Sequence, residues 1–255
     1  MLCSKISVDE GRILGLGEKF VVERKLDGIR AYVEGGRLYD RRGKEITRQF
    51  PEFVGLSGIE GTFDGEIVAA SGEFNDVSGR VHLRDKLIIS LLAKKHPARF
   101  VIFDVVMSGT IEQRRSAMEK AALWDRFEWC HQVPSFCSFE EGWDKVQECG
   151  WEGLILKRKG STYQEGVRSQ EWKKCKAFSE TTAVFTKLEV HNRGCHLETA
   201  DGRSVNVNGA QAEEVKQRFK RDKQVICEVQ YLPQKDSVAW RFPSFRGLGG
   251  NKNGE

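Results

Sequence analysis

Apolar and polar positions alternate with a period of two in several short stretches, and each predicts a strand. Phe20-Val21-Val22 runs toward Lys25, and Ile29, Ala31 and Val33 alternate before Gly35-Gly36 turns the chain, giving a strand, a tight loop and a second strand. Arg37-Leu38-Tyr39 then meets a basic turn, Arg41-Arg42-Gly43, and the run GTFDGEIVAA at 61–70 is strand-like again. Between Asp85 and Lys95 the spacing changes: Leu87, Ile88, Leu91 and Leu92 recur at helical intervals, and Pro97 stops the helix. Phe100 to Val106 is apolar except for Asp104, the pattern of a buried strand with one polar group that needs a partner. Helical patterns follow over Ile111–Trp129 and Trp143–Cys149, the second ended by Gly150. A strand at Gly153–Leu156, a polar loop to Ser169 and a strand-like basic run, Trp172–Lys176, come next.

The pattern shortens near Phe178–Thr182, which predicts a boundary with domains at 1–178 and 179–255. Ala183–Val190, Cys195–Thr199, Arg203–Val207 and Gln224–Tyr231 read as strands, with a helix at Gln211–Phe219. Short strands and one helix in so few residues fit a small five-stranded barrel of the OB type. The polar, glycine-rich tail Gly247–Glu255 reads as flexible.

Composition narrows the class. The 255 residues, 39% of them hydrophobic, suffice for an ordinary core. No run of about eighteen apolar residues exists, which excludes a membrane-spanning helix. The start, MLCSKISVDEGR, lacks the apolar segment of a signal peptide, so a cytoplasmic location is expected, in a bacterium or a virus-infected host cell. The 7 cysteines are scattered without a C-x-x-C pair, which points to reduced thiols. Cys130, His131, Cys137 and Cys149 match no usual zinc spacing. A balance of 41 Lys+Arg against 37 Asp+Glu, net +4, is compatible with a polyanionic partner without requiring one.

The candidate chemistry begins at Lys25-Leu26-Asp27-Gly28-Ile29-Arg30, a K-x-D-G-x-R motif. A nucleophilic lysine needs neighbours that disfavour its proton, such as other cations or a metal. Lys174 and Lys176 alternate with Lys173 and Cys175 in WKKCK, so their side chains share one side of a strand, where two ammonium groups could hold a triphosphate. Taken alone, the run also reads as a solvated basic edge. Glu66, in DGEI, suits a ribose hydroxyl or a divalent ion; Glu152, at the mouth of the strand in EGLILK, suits Mg²⁺. Phe103 could stack on a purine or simply pack in the core.

The order K-x-D-G-x-R, D-G-E, F-D, E-G-L-I-L-K, W-K-x-C-K resembles the covalent nucleotidyltransferases, and among these the minimal ATP-dependent DNA ligases of the phage and virus type. YDRRGKEIT with FPEF, IEQRR, YQEGVRSQEWKKCK and the C-terminal WRFPSFR strengthen the resemblance, which covers nearly the whole chain. It implies an α+β fold: a nucleotidyltransferase (adenylation) domain of antiparallel sheets with flanking helices, then a small β-barrel OB-fold domain. It also implies that Lys25 carries AMP, with Glu23 at the adenine amino group, Phe103 on the base, and Arg30 and Glu66 at the ribose. Glu152, with Glu66, would hold the metal, Lys174 and Lys176 the phosphates, and Asp27 would assist the later steps. ATP with Mg²⁺, or Mn²⁺ in its place, is the implied cofactor, and nicked duplex DNA the implied partner. Arg41 would meet the phosphate at the nick, and Arg241 and Arg246 would orient the leaving pyrophosphate. The basic side chains Arg41, Arg42, Lys44, Arg80, Arg84, Lys94 and Lys95 are the candidates for DNA phosphates, with Arg241 and Arg246 on the second domain. Two departures stand out: Arg168 aligns only if Val167 is an insertion, and Arg42 stands where many relatives have asparagine. A monomer with no evident protein partner is expected. An mRNA-capping guanylyltransferase, an RNA ligase and a non-catalytic nucleic-acid-binding relative remain the alternatives.

Overall fold

The computed structural model describes residues 1–233 and 239–249, and the chain divides into two compact units, Met1–Cys175 and Lys176–Glu255. In the first, β1 (Leu2–Ile6) and α1 (Val8–Gly15) precede β2 (Phe20–Arg24). Ser7 caps α1 in a capping box with Glu10, whose carboxylate accepts from the Ser7 amide at 2.7 Å. β3 (Ile29–Glu34), β4 (Arg37–Asp40) and β5 (Phe63–Ala69) follow, then α2 (Asn75–Ser78), α3 (Lys86–Lys95) and β6 (Ala98–Val105). Next come α4 (Ile111–Ala121), α5 (Leu123–Arg126), β7 (Cys130–Gln132), β8 (Ser135–Phe136), α6 (Phe139–Cys149), β9 (Gly153–Arg158) and β10 (Arg168–Lys176). Two five-stranded sheets result, in the orders β1-β10-β9-β2-β8 and β4-β3-β5-β6-β7. β2 pairs antiparallel with β8 and β9, β3 with β4 and β5, and β5 with β6, whereas β1 lies parallel to β10 and β6 parallel to β7. The second sheet covers the main core, which includes Ala31, Val33, Phe63, Ile67, Phe100 and Ile102.

The second unit is built from β11 (Ser179–His191), β12 (Gly194–Thr199), β13 (Ser204–Asn208), α7 (Ala210–Asp222), β14 (Val225–Leu232) and β15 (Arg241–Leu248). The strand order is β13-β12-β11-β14-β15, and β13 also lies against β15, so the sheet curls into the nearly closed barrel of an OB fold. Phe185, Leu197, Val205, Val207 and Val229 fill it, with Ala212 and Val215 of α7. Gly247 and Leu248 belong to β15, which corrects part of the expected flexible tail; residues 250–255 lie outside the described residues.

Two helices differ from their sequence pattern. The single helix expected over Ile111–Trp129 is broken at Ala122, whose φ of 43° places it in the left-handed region, and the chain restarts as the short α5. α3 forms where expected, capped by Asp85, but it buries Ile89 and Ala93; Leu87, Ile88 and Leu91 are exposed. The buried Asp104 finds its partner in Arg114 of α4: Nε donates to Oδ1 at 2.7 Å and Nη2 to Oδ2 at 3.2 Å, both side chains being essentially inaccessible. All 7 cysteines are free, and among the described residues no cluster of three or more His, Cys, Asp or Glu is arranged for a metal. No helix among the described residues is long and apolar enough to cross a membrane.

Candidate active site

Lys25 sits on the loop that leaves β2 for β3, and the glycine of the motif explains how close that loop comes to β5. A Cβ built on Gly28 would stand 2.2 Å from the Ile67 carbonyl oxygen and 2.9 Å from Glu66 Cγ, so a side chain there would push the loop off the strand. The Lys25 amide donates to Gly153 O at 2.8 Å, tying the loop to the start of β9. That register carries Glu152 to the lysine, and Lys25 Nζ makes a direct ion pair with Glu152 Oε2, whose side chain is only 5% exposed. Two motif residues 127 positions apart therefore meet.

Glu66 completes the acidic side. It pairs in register with Arg30 across β5 and β3. Burial pushes its carboxyl up from the ordinary 4.5 to about 8; the Lys25 ammonium opposes the rise, Glu152 adds to it and Arg30 opposes it. A folded protein that keeps a proton the unfolded chain has already released loses stability as pH climbs between those two values. Melting temperature should accordingly fall from pH 5 to about pH 8, and Glu66→Gln should flatten that fall; an equally steep profile in the variant would refute the assignment. Two neighbouring carboxylates, one shielded from solvent, fit a Mg²⁺ ion, which takes one or two protein carboxylates and completes its shell with phosphate and water.

The basic side converges on β1. The Cys3 thiol is pushed up by burial and pulled down by Lys157, Lys174, Lys25 and Arg30, which places all four cations within electrostatic reach of one atom. Arg30 is held rigidly: Nε donates to Asp64 Oδ1 at 3.1 Å, Nη2 to Oδ2 at 2.6 Å, and Nη1 to the Met1 carbonyl. Tyr163 adds a hydrogen bond to Asp64 at 2.7 Å. Phe103 is partly exposed on β6, with the Arg30 guanidinium 5.7 Å and Lys157 Nζ 5.1 Å from its ring centre and Trp172 edge-on at 6.1 Å. Glu23 is 1% exposed, its two oxygens accepting from Arg115 at 2.6 Å and Lys157 at 2.8 Å. Asp64, Lys157, Arg115, Tyr163 and Trp172 thus organise the site although sequence reasoning gave them no role. Tyr163 and Trp172 stood in the quoted YQEGVRSQEWKKCK run, and Arg115 in IEQRR; Asp64 and Lys157 had no signal beyond sitting beside Glu66 and in EGLILK.

Lys174 lies on β10 in register with Lys5 of β1, and Lys176 ends that strand with Nζ 5.6 Å from the Phe178 ring and 5.1 Å from the Phe242 ring. Arg41 and Arg42 are exposed and line a cleft of about 530 Å³ with Arg30, Tyr32, Asp64 and Tyr163. Lys44, Arg84, Lys94, Lys95 and Arg246 are also exposed; Lys44 Nζ donates to Val81 O at 3.2 Å, and Arg246 to Gln230. Arg241 is half-buried, 4.9 Å over the Phe242 ring.

Arg80 is a correction. It is 1% exposed, in a bidentate pair with Glu52 at 2.7 and 2.8 Å, donating to Gln49 O and His96 O and stacked 4.5 Å over Phe50. Its charge is spent inside the protein, so it is not a DNA contact. Arg80→Ala is expected to lower unfolding free energy by about 3 kcal/mol or more, the scale of breaking a buried pair, while the folded fraction keeps its affinity for DNA. Reduced DNA affinity at unchanged stability would reverse that assignment.

Fold and site together define an adenylation domain followed by an OB-fold domain. Residues 1–176 match the family model described as the ATP dependent DNA ligase domain, and the chain belongs to that family. It is 26% identical over 255 residues to the SPbeta prophage-derived DNA ligase-like protein LigB of Bacillus subtilis (strain 168), covering 89% of this chain and 92% of that one. DNA ligase C1 of Mycolicibacterium smegmatis is 28% identical, with 87% and 70% covered. The DNA ligase of Cenarchaeum symbiosum, 26% identical over 69% of this chain, is much longer, and the match spans only 34% of it. A solved Lig E DNA ligase superposes with a TM-score of 0.71 at 22% identity, covering 91% of this chain and 93% of that one; this likeness is one of fold.

Proposed function

We propose that this protein seals 5′-phosphate/3′-hydroxyl nicks in duplex DNA at the expense of ATP, with Lys25 as the covalent carrier of AMP. The observation that carries the reading is the ion pair of Lys25 with Glu152, beside Glu66, in a chain of the ATP-dependent DNA ligase domain family. Lys25 Nζ gives its electron pair to the α-phosphorus, loses a proton, and the bond to pyrophosphate breaks. The 5′-phosphate at the nick then takes AMP from the lysine, and the 3′-hydroxyl displaces AMP to close the strand. Charge in such steps is spread over phosphate oxygens, so positioning and cations do most of the work. Lys174 and Lys176 are the proposed phosphate contacts. Phe103 is the proposed adenine platform, with Glu23 at the base edge and Arg30 and Glu66 at the ribose. Asp27 is assigned to the later steps. Bound at Glu152 and Glu66, Mg²⁺ would neutralise phosphate charge. Arg41 and Arg42 line an open cleft suited to a strand end, and Arg84, Lys94, Lys95, Lys44, Arg241 and Arg246 are the proposed outer phosphate contacts, which makes DNA affinity salt-dependent.

A nicked duplex with a labelled 5′-phosphate tests the reading. Joining with ATP and Mg²⁺ is expected, and none with GTP or with a 5′-hydroxyl nick. Transfer of GMP to a 5′-diphosphate RNA end, or no joining with ATP, would overturn it.

A further inference from the structure

On the same face of the β4-β3-β5-β6-β7 sheet, away from Phe103, lies a recess of about 360 Å³ whose lining residues, Asp27 apart, have no role in the chemistry above. Arg24, Asp27, Arg99, His131 and Gln132 line it over an apolar floor that includes Val68. Its polar groups are poorly satisfied. Arg24 Nε and His131 Nε2 are buried without a hydrogen-bond partner, although buried polar atoms are nearly always paired. The Arg24 guanidinium stacks 4.3 Å from the Trp151 ring centre, and burial pulls its pKa below the ordinary value, with Cys149 and Asp27 only partly compensating. Arg99, on β6, is exposed. Burial, and then the Arg99 charge, lower the His131 pKa, so its ring is neutral at neutral pH and keeps one N–H to donate.

We infer that this recess binds a backbone phosphodiester of the nicked duplex beside the nick, held by Arg24 and Arg99 with His131 as an additional donor. A phosphodiester brings one negative charge and two acceptor oxygens, which suits two guanidiniums partly offset by Asp27. A triphosphate carries several charges and is better matched by Lys174 and Lys176, the phosphate contacts proposed above. Because Arg24 directly precedes Lys25, a phosphate fixed here would set the DNA against the nucleophile. The inference rests on the ligase reading proposed above.

The test measures affinity for a nicked duplex against salt concentration, alongside the rate and ATP dependence of Lys25 adenylylation, for the full chain and for Arg99→Gln, Arg24→Gln and His131→Asn. Each arginine variant should bind roughly three- to tenfold more weakly, with the log–log salt slope reduced by about one, and adenylylation should stay within about twofold of the parent. One neutral methylphosphonate in the strand should weaken the parent and leave Arg99→Gln without further loss. Should Arg24→Gln fail to fold after losing its Trp151 contact, Arg99→Gln, on an exposed side chain, carries the test. An unchanged affinity and slope in Arg99→Gln overturns the inference. So does a raised KM for ATP with the DNA slope intact, which would assign the recess to the nucleotide's phosphates. Failure of the parent to form lysyl-AMP would contradict the ligase reading itself, whereas intact adenylylation with an unchanged slope contradicts the recess alone.

Discussion

Lys25→Ala should abolish joining that starts from ATP, by on the order of 10⁴-fold or more, the scale on which loss of a covalent nucleophile acts. The same variant should still close a nick whose 5′-phosphate already carries AMP, because in that step the 3′-hydroxyl, and not the lysine, is the nucleophile. The reason is geometric: Glu66, Arg30, Lys157 and Lys174 sit on β5, β3, β9 and β10, away from the loop that carries the lysine. Single-turnover joining of the two substrates measures the split. Equal loss on both would mean that Lys25 holds the site together instead of carrying AMP.

Arg114→Ala is expected to be the most damaging substitution away from the chemistry. Its guanidinium closes on Asp104 at 2.7 and 3.2 Å and donates to Gly109 O and Ser161 O, both at 2.9 Å. Removing it leaves a buried carboxylate with Lys157 at 3.9 Å as its nearest remaining ion-pair partner. Breaking such a pair costs about 3–5 kcal/mol. For a chain of this size that lowers the melting temperature by roughly 6–20 °C, at about 2–4 °C per kcal/mol. Calorimetry decides: a change under about 1 kcal/mol would show that Asp104 is satisfied by other means. Replacing both partners by apolar residues of similar volume should recover much of the loss, because no charge is then stranded.

What the sequence revealed depended on the range of the interaction. Strands β2, β3, β5 and β6 announced themselves because their signals are local, alternation in β3 and a nearly unbroken apolar run in β6, and Gly150 marked the end of α6 as a left-handed cap. The WKKCK alternation likewise put Lys174 and Lys176 on one side of a strand, and β10 runs through them. β1 was not legible, because LCSKI has no clean alternation and becomes a strand by pairing in parallel with β10, some 165 residues away. The break at Ala122 carries no glycine or proline to betray it. α3 displays an apolar stripe that looked like its buried face, yet the chain buries the other side. Charge misled in the same way. Arg80 looks like any other basic residue until Glu52, 28 positions earlier, is seen to lie against it. Among the site residues, the motif positions Lys25, Glu66 and Glu152 were legible as types suited to the chemistry, but the ion pair between the first and third required the fold. Asp64 and Lys157 were missed because their role is to hold Arg30 and Glu23, which only three-dimensional packing shows.

The central claim is that Lys25 accepts AMP from ATP. Its most direct test strips bound nucleotide with pyrophosphate and Mg²⁺, incubates the protein with Mg²⁺ and either ATP or GTP, and records intact mass with peptide mapping. One AMP adduct on Lys25, formed from ATP alone, is the predicted result. A GMP adduct, an adduct on another residue, or none with either nucleotide would contradict the account.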